Sequence, residues 1–521
     1  MIKRRTFIQQ MGLSTLGLGA VIYLPGCKTM QAGTSAGTDY TPESQGVDSQ
    51  GLLDFFQAVQ ESDLEFHSIM INRNGKTILE GWWKPFEKAY VHSLYSLSKS
   101  FTSTAIGLLY DEGKLKIEDK VVSFFPDQLP KTVSDHLAAM RVHDLLTMHT
   151  GHEVDTMGTM RKGDDDWVKT FLSLEVPREP GTHFLYNTGA TYMLSAIVQQ
   201  LTGQPVIDYL RPKLLEPLGI EGADWEEDPK GVNVGGYGLR VRTQDILNFG
   251  QLYLQKGKWK GQQLISAKWV QEATKKQVNS QNNDGDWGQG YGYQFWRCKP
   301  GGYRGDGAFG QFCIVVPEKN AVIAITSESK DMGASMQLVW DHILPAMKQE
   351  GVILKPTPAY DTLVATTQSL KLPIPDESAE KNLQQQVGGN TYLYEDNPYY
   401  ASKVSFSFDG DECTAVFVEN GQEISVKSGL NRWVTADNHK NGETLFAVPG
   451  RTPKPTKIAS HYHWSDERTL VLLLKYVENL HHDIFMFTFS DVGLEMTFSR
   501  SLYLNFEGQD NRRKPIKARL V

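Results

Sequence analysis

Ser96-Leu97-Ser98-Lys99 leads directly into residues 100–109, an uninterrupted run with helical character. Residues three apart on a helix share a face, so this spacing predicts a hydroxyl and an amine one turn apart. A serine becomes a nucleophile when a base takes its proton, and a lysine kept partly neutral by its surroundings can contribute to that. Backbone N–H groups at the start of a helix also favour developing negative charge. The stretch therefore predicts an activated serine.

The Ser-x-x-Lys spacing occurs twice more, at residues 327–330 and 378–381. The first copy follows a predicted strand and the second lies in a Pro-rich, polar stretch, so neither precedes a long apolar helix. Spacing alone is a weak signal, and helix context therefore singles out Ser96 and Lys99. The alternative is that Ser96 only caps the helix, a position that serine favours.

The chain has 521 residues, of which 40% are hydrophobic and 22% charged. It is too long for one ordinary domain, and its composition is typical of a globular protein that buries a core. The 53 basic and 61 acidic residues give a net charge of −8, so acidic residues predominate. The charge pattern argues against nucleic acid as a partner.

The N-terminus carries paired arginines at Arg4 and Arg5, then an apolar stretch over residues 11–24 and the box Leu24-Pro25-Gly26-Cys27. This pattern resembles a bacterial twin-arginine lipoprotein signal. A transmembrane anchor is disfavoured because the apolar run is shorter than the ~20 residues that a span needs. We expect an export signal over 1–27, a tether over 28–47, and an exported, periplasmic protein whose membrane attachment is a lipid on Cys27.

The remaining sequence divides by its patterns into strands, helices and turns. The order is a helix, a hairpin with an Asn-Gly turn, a mostly helical stretch, three strands and a last helix, at residues 48–61, 66–79, 135–275, 291–296, 312–316, 321–325 and 331–348. This order predicts one α/β domain over 48–352 with an all-α insertion, whose two ends build the same sheet. Prolines predict a linker over 353–390. Alternating short stretches with turn signals predict an all-β sandwich or barrel over 391–521.

Metal and disulfide sites are not expected. Besides Cys27 the chain has Cys298, Cys313 and Cys413, which we interpret as buried free thiols, although Cys298 and Cys313 could pair. His461 and His463 would share one strand face, with His481-His482-Asp483 nearby, but the pattern specifies no third ligand. No metal and no organic cofactor is predicted.

Two further motifs accompany the Ser96 stretch: Tyr186-Asn187-Thr188 within residues 180–190, and the Gly-rich run 305–311 before an apolar hairpin. In order and spacing the three motifs resemble those of the serine β-lactamase and penicillin-binding-protein superfamily, in its class C and esterase branch. Residues 145–151 and 235–239 also look like that branch. The resemblance covers roughly residues 50–350 and implies a β-lactamase-like domain with an antiparallel sheet flanked by helices.

The resemblance implies a role for each catalytic residue. Ser96 would be the nucleophile and Lys99 its proton-handling partner. Tyr186 would help deprotonate the serine and later protonate the leaving group. That role needs a phenol whose pKa a neighbouring ammonium lowers from ~10. The alternative for Tyr186 is a buried core aromatic with a satisfied hydroxyl.

The resemblance also implies the groups that hold the substrate. The backbone N–H groups of Ser96 and Ala308 would form the oxyanion hole, since donors must come within ~3 Å of the oxygen. Gly307 would allow the strand to approach, and Asn187 and Thr188 would border the substrate.

Two departures from the family pattern separate this chain from penicillin-recognising members. Thr188 stands where they have asparagine, and Gly305 stands where they have a cation. Arg304 could replace that cation, but strand alternation could also turn it away. Asp306, beside it, is read as a turn residue. In these features the chain resembles esterase and 6-aminohexanoate-oligomer hydrolase relatives.

We therefore predict a serine hydrolase that acts through an acyl-enzyme on a small ester or amide. One alternative is a β-lactamase or D-alanyl-D-alanine peptidase acting on cell-wall peptides. The alternative from another class is a non-catalytic binding protein that retains the fold. The sequence leaves the oligomeric state open.

Overall fold

The structure is a computed structural model that describes residues 40–281, 283–349, 351–374, 383–397, 400–419, 421–438, 456–501 and 515–521. The predicted signal over 1–27, most of the predicted tether and the serine of the 378–381 motif lie outside the described residues. Within the described part of the chain, no helix has the length and apolar character to cross a membrane.

The helices are concentrated between residues 98 and 274 and recur near 332–387. Their bounds are α1 Ser49–Glu61, α2 Ser98–Asp111, α3 Asp135–Ala139, α4 Val142–Leu146, α5 Met157–Lys162, α6 Trp167–Ser173, α7 Thr188–Thr202, α8 Val206–Leu210, α9 Glu216–Leu218, α10 Thr243–Leu254, α11 Ala267–Thr274, α12 Met332–Leu338, α13 Leu344–Ala346, α14 Pro358–Ser369 and α15 Gln384–Val387. A 3₁₀ turn, Tyr95–Leu97, directly precedes α2.

The strands fall into two large sheets and two small ones. Their bounds are β1 Phe66–Arg73, β2 Lys76–Trp82, β3 His92–Ser93, β4 Asp224–Trp225, β5 Leu239–Val241, β6 Lys258–Trp259, β7 Gln262–Gln263, β8 Trp296–Arg297, β9 Tyr303–Gly307, β10 Gln311–Val316, β11 Ala321–Ser327, β12 Thr391–Tyr394, β13 Ala401–Asp409, β14 Glu412–Glu419, β15 Gln422–Leu430, β16 Val434–Asn438, β17 Thr456–Trp464, β18 Thr469–Tyr476, β19 His482–Ser490, β20 Gly493–Arg500 and β21 Ile516–Leu520.

The first large sheet joins the two ends of the predicted α/β segment, as the sequence predicted. Its order is β2-β1-β11-β10-β9-β8, and each neighbouring pair is antiparallel. The predicted strand over 291–296 differs, because only Trp296 of that stretch lies in a strand. Gln294 adopts a φ of +64°, a left-handed conformation that interrupts extended backbone.

The two faces of this sheet bury different hydrophobic clusters. Val322 and Ala324 of β11 pack with residues of the helical region, including Phe249 of α10. Ile323 alternates to the opposite face and packs in a cluster that contains Phe55 of α1. Side chains alternate across a strand, so β11 can join both clusters at once.

The second large sheet forms the C-terminal all-β region. Its order is β15-β14-β13-β12-β21-β20-β19-β18-β17-β16, and a parallel pairing of β15 with β17 closes nine of the ten strands into a barrel. The barrel has its own core, which includes Phe417, Leu472 and Phe485. The sequence had predicted either a sandwich or a barrel, and the structure shows the barrel.

The segment predicted as a linker carries structure of its own. Helix α14 lies within it, and Leu363 of that helix is buried in the cluster that contains α1. The prolines of the stretch had suggested a linker, but Pro358 is the first residue of the helix, where its missing N–H costs no intrahelical bond. Cys298, Cys313 and Cys413 are buried free thiols, as predicted.

Candidate active site

The predicted nucleophile lies on a tight turn between β3 and α2. Ser96 is half-buried in the 3₁₀ turn, and Tyr95 immediately before it has a φ of +47°. A bulky residue rarely adopts a left-handed backbone, and such strain clusters at functional sites. By contrast, Ser327 of the 327–330 motif is buried and donates its hydroxyl to the carbonyls of Phe309 and Gly310. That serine is bound within the fold.

The amine of Lys99 lies beside the serine and forms hydrogen bonds with it and with one backbone carbonyl. Its Nζ donates to Ser96 Oγ at 3.0 Å and to the carbonyl of Gly236 at 2.8 Å. Burial lowers the pKa of Lys99 to about 7, and the charges of Asp155 and Asp306 oppose that shift only in part. Near neutral pH a large fraction of this amine is therefore uncharged and able to accept a proton.

Tyr186 completes the cluster from the opposite side. Its hydroxyl shares a hydrogen bond with Ser96, its ring lies 4.8 Å from Lys99 Nζ, and it stacks on Trp296 at 5.5 Å between ring centroids. Burial, together with the charge of Asp306, raises the pKa of Tyr186 well above its usual value. The predicted lowering of this pKa is wrong, because burial of the phenol and the negative charge of Asp306 outweigh the hydrogen bond with Ser96. Tyr186 is a neutral hydroxyl at physiological pH.

Strand β9 packs directly against the 3₁₀ turn Tyr95–Leu97, which we call the nucleophile turn. A Cβ atom on Gly307 would lie 2.1 Å from the carbonyl oxygen of Leu94, so only glycine permits this approach. The next residue, Ala308, is half-buried, and Gln311 Nε2 donates to its carbonyl at 3.0 Å. The peptide at Ala308 is thus fixed at the end of β9 and next to the Ser96 turn.

The face of β9 that carries Arg304 and Asp306 serves the fold. Arg304 Nε donates to Asp306 Oδ2 at 3.0 Å, and its Nη1 donates to the Arg297 carbonyl at 2.9 Å. Trp287 Nε1 donates to the same carboxylate oxygen at 3.0 Å. Arg304 is therefore turned away from the face of Gly305 and Gly307, as strand alternation allowed. Asp306 is a buried strand residue, so its reading as a turn residue is wrong.

Replacing Gly305 with lysine should not restore penicillin recognition. A Cβ atom there would lie 2.4 Å from Leu97 Cδ1 and 2.6 Å from Ser100 Oγ, so both side chains must move, and Ser100 Oγ would be displaced from its bond to the Gln294 carbonyl. We expect G305K to lower the free energy of unfolding by about 1–3 kcal/mol, the usual cost of overpacking, and to leave fluorescent-penicillin labelling unchanged. Gly158→Lys is the matched control, since nothing lies within 4 Å of a Cβ there. Stronger penicillin labelling of G305K, measured beside urea unfolding, would contradict this expectation.

Asn187 and Thr188 occupy different environments. Asn187 is fully buried, and its Oδ1 accepts from Thr156 Oγ1 at 2.8 Å and from the Gly189 N–H at 3.1 Å, which caps α7. Its side chain is engaged within the protein. Thr188 is half-buried, its N–H donates to Asp155 Oδ1 at 3.0 Å, and its methyl group would lie 2.6 Å from a Cβ on Gly236. Thr188 therefore lies next to Gly236, whose carbonyl binds the Lys99 amine.

Asp155 is the residue of the site that sequence reasoning did not find. It is exposed, and its charge acts on both Lys99 and Tyr186. It lies in a loop without periodicity, so only the three-dimensional contact with the Thr188 N–H reveals its position.

One described group of side chains has the spacing of metal ligands, but it lies at a different place. Ligand atoms of Glu65, His67 and Glu328 lie within 4.8 Å of one another. The ammonium of Lys475 is hydrogen-bonded to both carboxylates, so these acids already share a cation supplied by the protein.

Comparisons with known proteins identify the family of this chain. The Beta-lactamase family model matches residues 56–348. The 6-aminohexanoate-dimer hydrolase of Paenarthrobacter ureafaciens is 24% identical over 302 residues, which are 54% of this chain and 76% of that protein. A beta-lactamase of Pseudomonas fluorescens is 23% identical over 232 residues, which are 38% of this chain and 63% of that protein.

Among solved structures, the octameric penicillin-binding protein homologue from Pyrococcus abyssi aligns with a TM-score of 0.47 at 15% identity, covering 90% of this chain and 99% of its own. The family match spans more than half of the chain and contains the three residues that meet at the Ser96 turn. The chain belongs to the beta-lactamase family and is one of its serine hydrolases.

Proposed function

We propose that Ser96 attacks the carbonyl carbon of a small ester or amide while Lys99 accepts the serine proton. The carbonyl oxygen takes the displaced electron pair and is stabilised by the backbone N–H groups of Ser96 and Ala308. The tetrahedral intermediate collapses, Tyr186 protonates the departing oxygen or nitrogen, and the acyl group stays on Ser96. Water then hydrolyses the acyl-enzyme. The 3.0 Å contact between Ser96 Oγ and Lys99 Nζ is the observation that carries this proposal.

The two proton-handling roles follow from the environments of the residues. A lysine with a pKa of about 7 can be the base at neutral pH. Tyr186 keeps its proton because burial raises its pKa, so it can pass a proton to a leaving group and be reprotonated through the serine cluster. Thr188 and Gly307 would border the bound substrate, whereas Asn187 supports α7.

The charges around Ser96 favour a substrate without a carboxylate at the reacting group. Asp155 places negative charge near Lys99 and Tyr186, and Arg304, a cation on β9, is already engaged by Asp306. A carboxylate would be repelled at this position. We therefore favour a neutral ester or linear amide over a β-lactam or a D-alanyl peptide.

Two active-site probes separate these substrate classes. We expect a fluorophosphonate to label the wild-type protein at Ser96, and a fluorescent penicillin to leave it unlabelled. Penicillin labelling that Ser96→Ala removes would instead support the β-lactamase or D-alanyl peptidase alternative. If neither probe labels the protein, the binding-protein alternative gains support.

The pH profile should report the titration of Lys99. Because the neutral amine is the base, kcat/KM for p-nitrophenyl acetate should rise as pH increases through about 7, the pKa to which burial lowers Lys99, and should fall as pH decreases through it. The unfolding temperature, recorded at each pH, controls for loss of structure. A flat profile between about pH 5.5 and 8.5 would remove Lys99 from the role of base.

We further propose the domain boundaries and the location of the protein. A layered β-lactamase-like domain over 48–352, with helices on both faces of its sheet, is followed by the barrel over 391–521.

The predicted signal supports export to the periplasm with a lipid on Cys27. Metabolic labelling with a fatty-acid analogue, compared between wild type and Cys27→Ala, tests the anchor. Label retained by Cys27→Ala would contradict it.

A further inference from the structure

A buried polar cluster joins the catalytic sheet to the barrel. We call it the interdomain cluster, and its members are Glu65, Glu328, Lys475, His481, His482 and Ser501. Glu328 accepts from Lys475 Nζ at 2.9 Å, and it lies 2.9 Å from His482 Nδ1 and 2.8 Å from His481 Nδ1. All four barrel residues of the cluster are therefore within reach of one carboxylate, since Ser501 also donates to it.

The opposite charges of the interdomain cluster stabilise one another. Burial would raise the pKa of Glu328, but Lys475 and the two histidines hold it well below its usual value. Lys475 is buried, and the two carboxylates raise its pKa. Buried charges persist only when they are paired and hydrogen-bonded, and here the pairing of Lys475 with Glu65 and Glu328 connects the barrel to the catalytic sheet.

His481 extends this cluster to the nucleophile turn. Its Nδ1 faces Glu328, an acceptor, and therefore carries the proton. Its Nε2 then accepts from the Tyr95 hydroxyl at 2.6 Å. Burial raises the pKa of Tyr95, which keeps that hydroxyl protonated as the donor. The residue held in this way directly precedes Ser96 and has the left-handed backbone noted above.

His481 also contacts Phe309, the residue that directly follows Ala308. The Phe309 ring lies edge-on to His481 at 4.9 Å and to Tyr95 at 5.2 Å between centroids. The Phe309 carbonyl accepts from Ser327 Oγ at 2.6 Å, which fixes the residue directly after Ala308. One imidazole from the barrel thus contacts the neighbours of both proposed oxyanion donors.

We propose that the barrel is part of the working active site, because His481 is a positioning residue that aligns the Ser96 and Ala308 N–H groups through Tyr95 and Phe309. The inference rests on the proposed function, since it concerns the oxyanion hole of that mechanism. Misplacement of catalytic groups by about 1 Å can cost ~10²-fold in rate. Loss of the hydrogen bond between Tyr95 and His481 would therefore slow the reaction measurably by shifting the oxyanion donors.

The test compares Tyr95→Phe, His481→Leu and the double variant in the full chain. We expect each single variant to lower kcat for p-nitrophenyl acetate by about 10- to 100-fold while KM stays within about threefold, with the double variant no worse than the poorer single one. Affinity for a phenylboronic acid, whose serine adduct places an anionic oxygen in the hole, should fall with kcat. His481→Gln, whose amide oxygen can accept from Tyr95, should recover part of the loss.

Tyr476→Phe is the matched control. Tyr476 donates to Asp483 at 2.6 Å inside the barrel, so this variant also removes a buried phenol-to-acceptor bond, but away from the nucleophile turn. If Tyr95→Phe and His481→Leu keep wild-type kcat, or lose no more than Tyr476→Phe at equal unfolding temperature, the proposal is overturned. A Ser96→Ala variant that stayed active would instead overturn the underlying mechanism, so the two failures are distinguishable.

Discussion

Replacing Ser96 with alanine is expected to lower the turnover of p-nitrophenyl acetate by about 10⁴-fold or more, because the proposed mechanism forms the acyl-enzyme on Ser96 Oγ. Lys99 Nζ would lose its 3.0 Å contact with Ser96 Oγ but keep its bond to the Gly236 carbonyl. The scaffold should therefore remain folded. Steady-state hydrolysis, fluorophosphonate labelling and intact-protein mass of the acylated enzyme measure the loss at three successive points.

Ser103→Ala provides a matched control on the same helix. Ser103 is buried in α2, and within the described residues its hydroxyl has no hydrogen-bond partner. The substitution removes one buried hydroxyl without touching the nucleophile, so kcat should stay within about twofold of wild type. If Ser96→Ala hydrolysed the ester as fast as Ser103→Ala, Ser96 would not be the nucleophile.

Local patterns were sufficient to predict much of the scaffold and the helix start at which Ser96 and Lys99 lie together. The Asn-Gly turn at residues 74–75 joins β1 to β2, and the apolar run after Lys99 forms α2. Both depend on interactions between residues close in the chain. The pairing of β1 with β11 joins residues that lie about 250 positions apart, but the order of predicted elements indicated it.

The features that the sequence could not reveal depend on burial and distant contacts. The pKa of Tyr186 rises because its hydroxyl is desolvated beside Asp306, and neither effect has a signal in the Tyr-Asn-Thr motif. His481 was considered only as a metal ligand, yet its partner Tyr95 lies 386 positions away in the chain. Helix α14 was hidden by prolines that also suit the first turn of a helix.

Replacing Tyr186 with phenylalanine is expected to lower kcat by about 10²–10⁴-fold for amides and alkyl esters. Their leaving groups are strong bases and must be protonated as they depart, and Tyr186 is the neutral hydroxyl next to Ser96. The loss should be much smaller for p-nitrophenyl acetate, since p-nitrophenolate leaves without a proton. The ring itself should keep its stacking on Trp296.

This dependence on the leaving group separates proton donation from packing. Tyr291→Phe is the control, because Tyr291 packs edge-on against the same Trp296 with 4.7 Å between centroids, so removing its hydroxyl tests the aromatic cluster without the Ser96 contact. A series of acetate esters with leaving groups of increasing pKa should give a steeper decline in kcat/KM for Tyr186→Phe than for Tyr291→Phe. Parallel lines for the two variants would exclude Tyr186 as the proton donor, and Lys99 would then carry the proton in both directions.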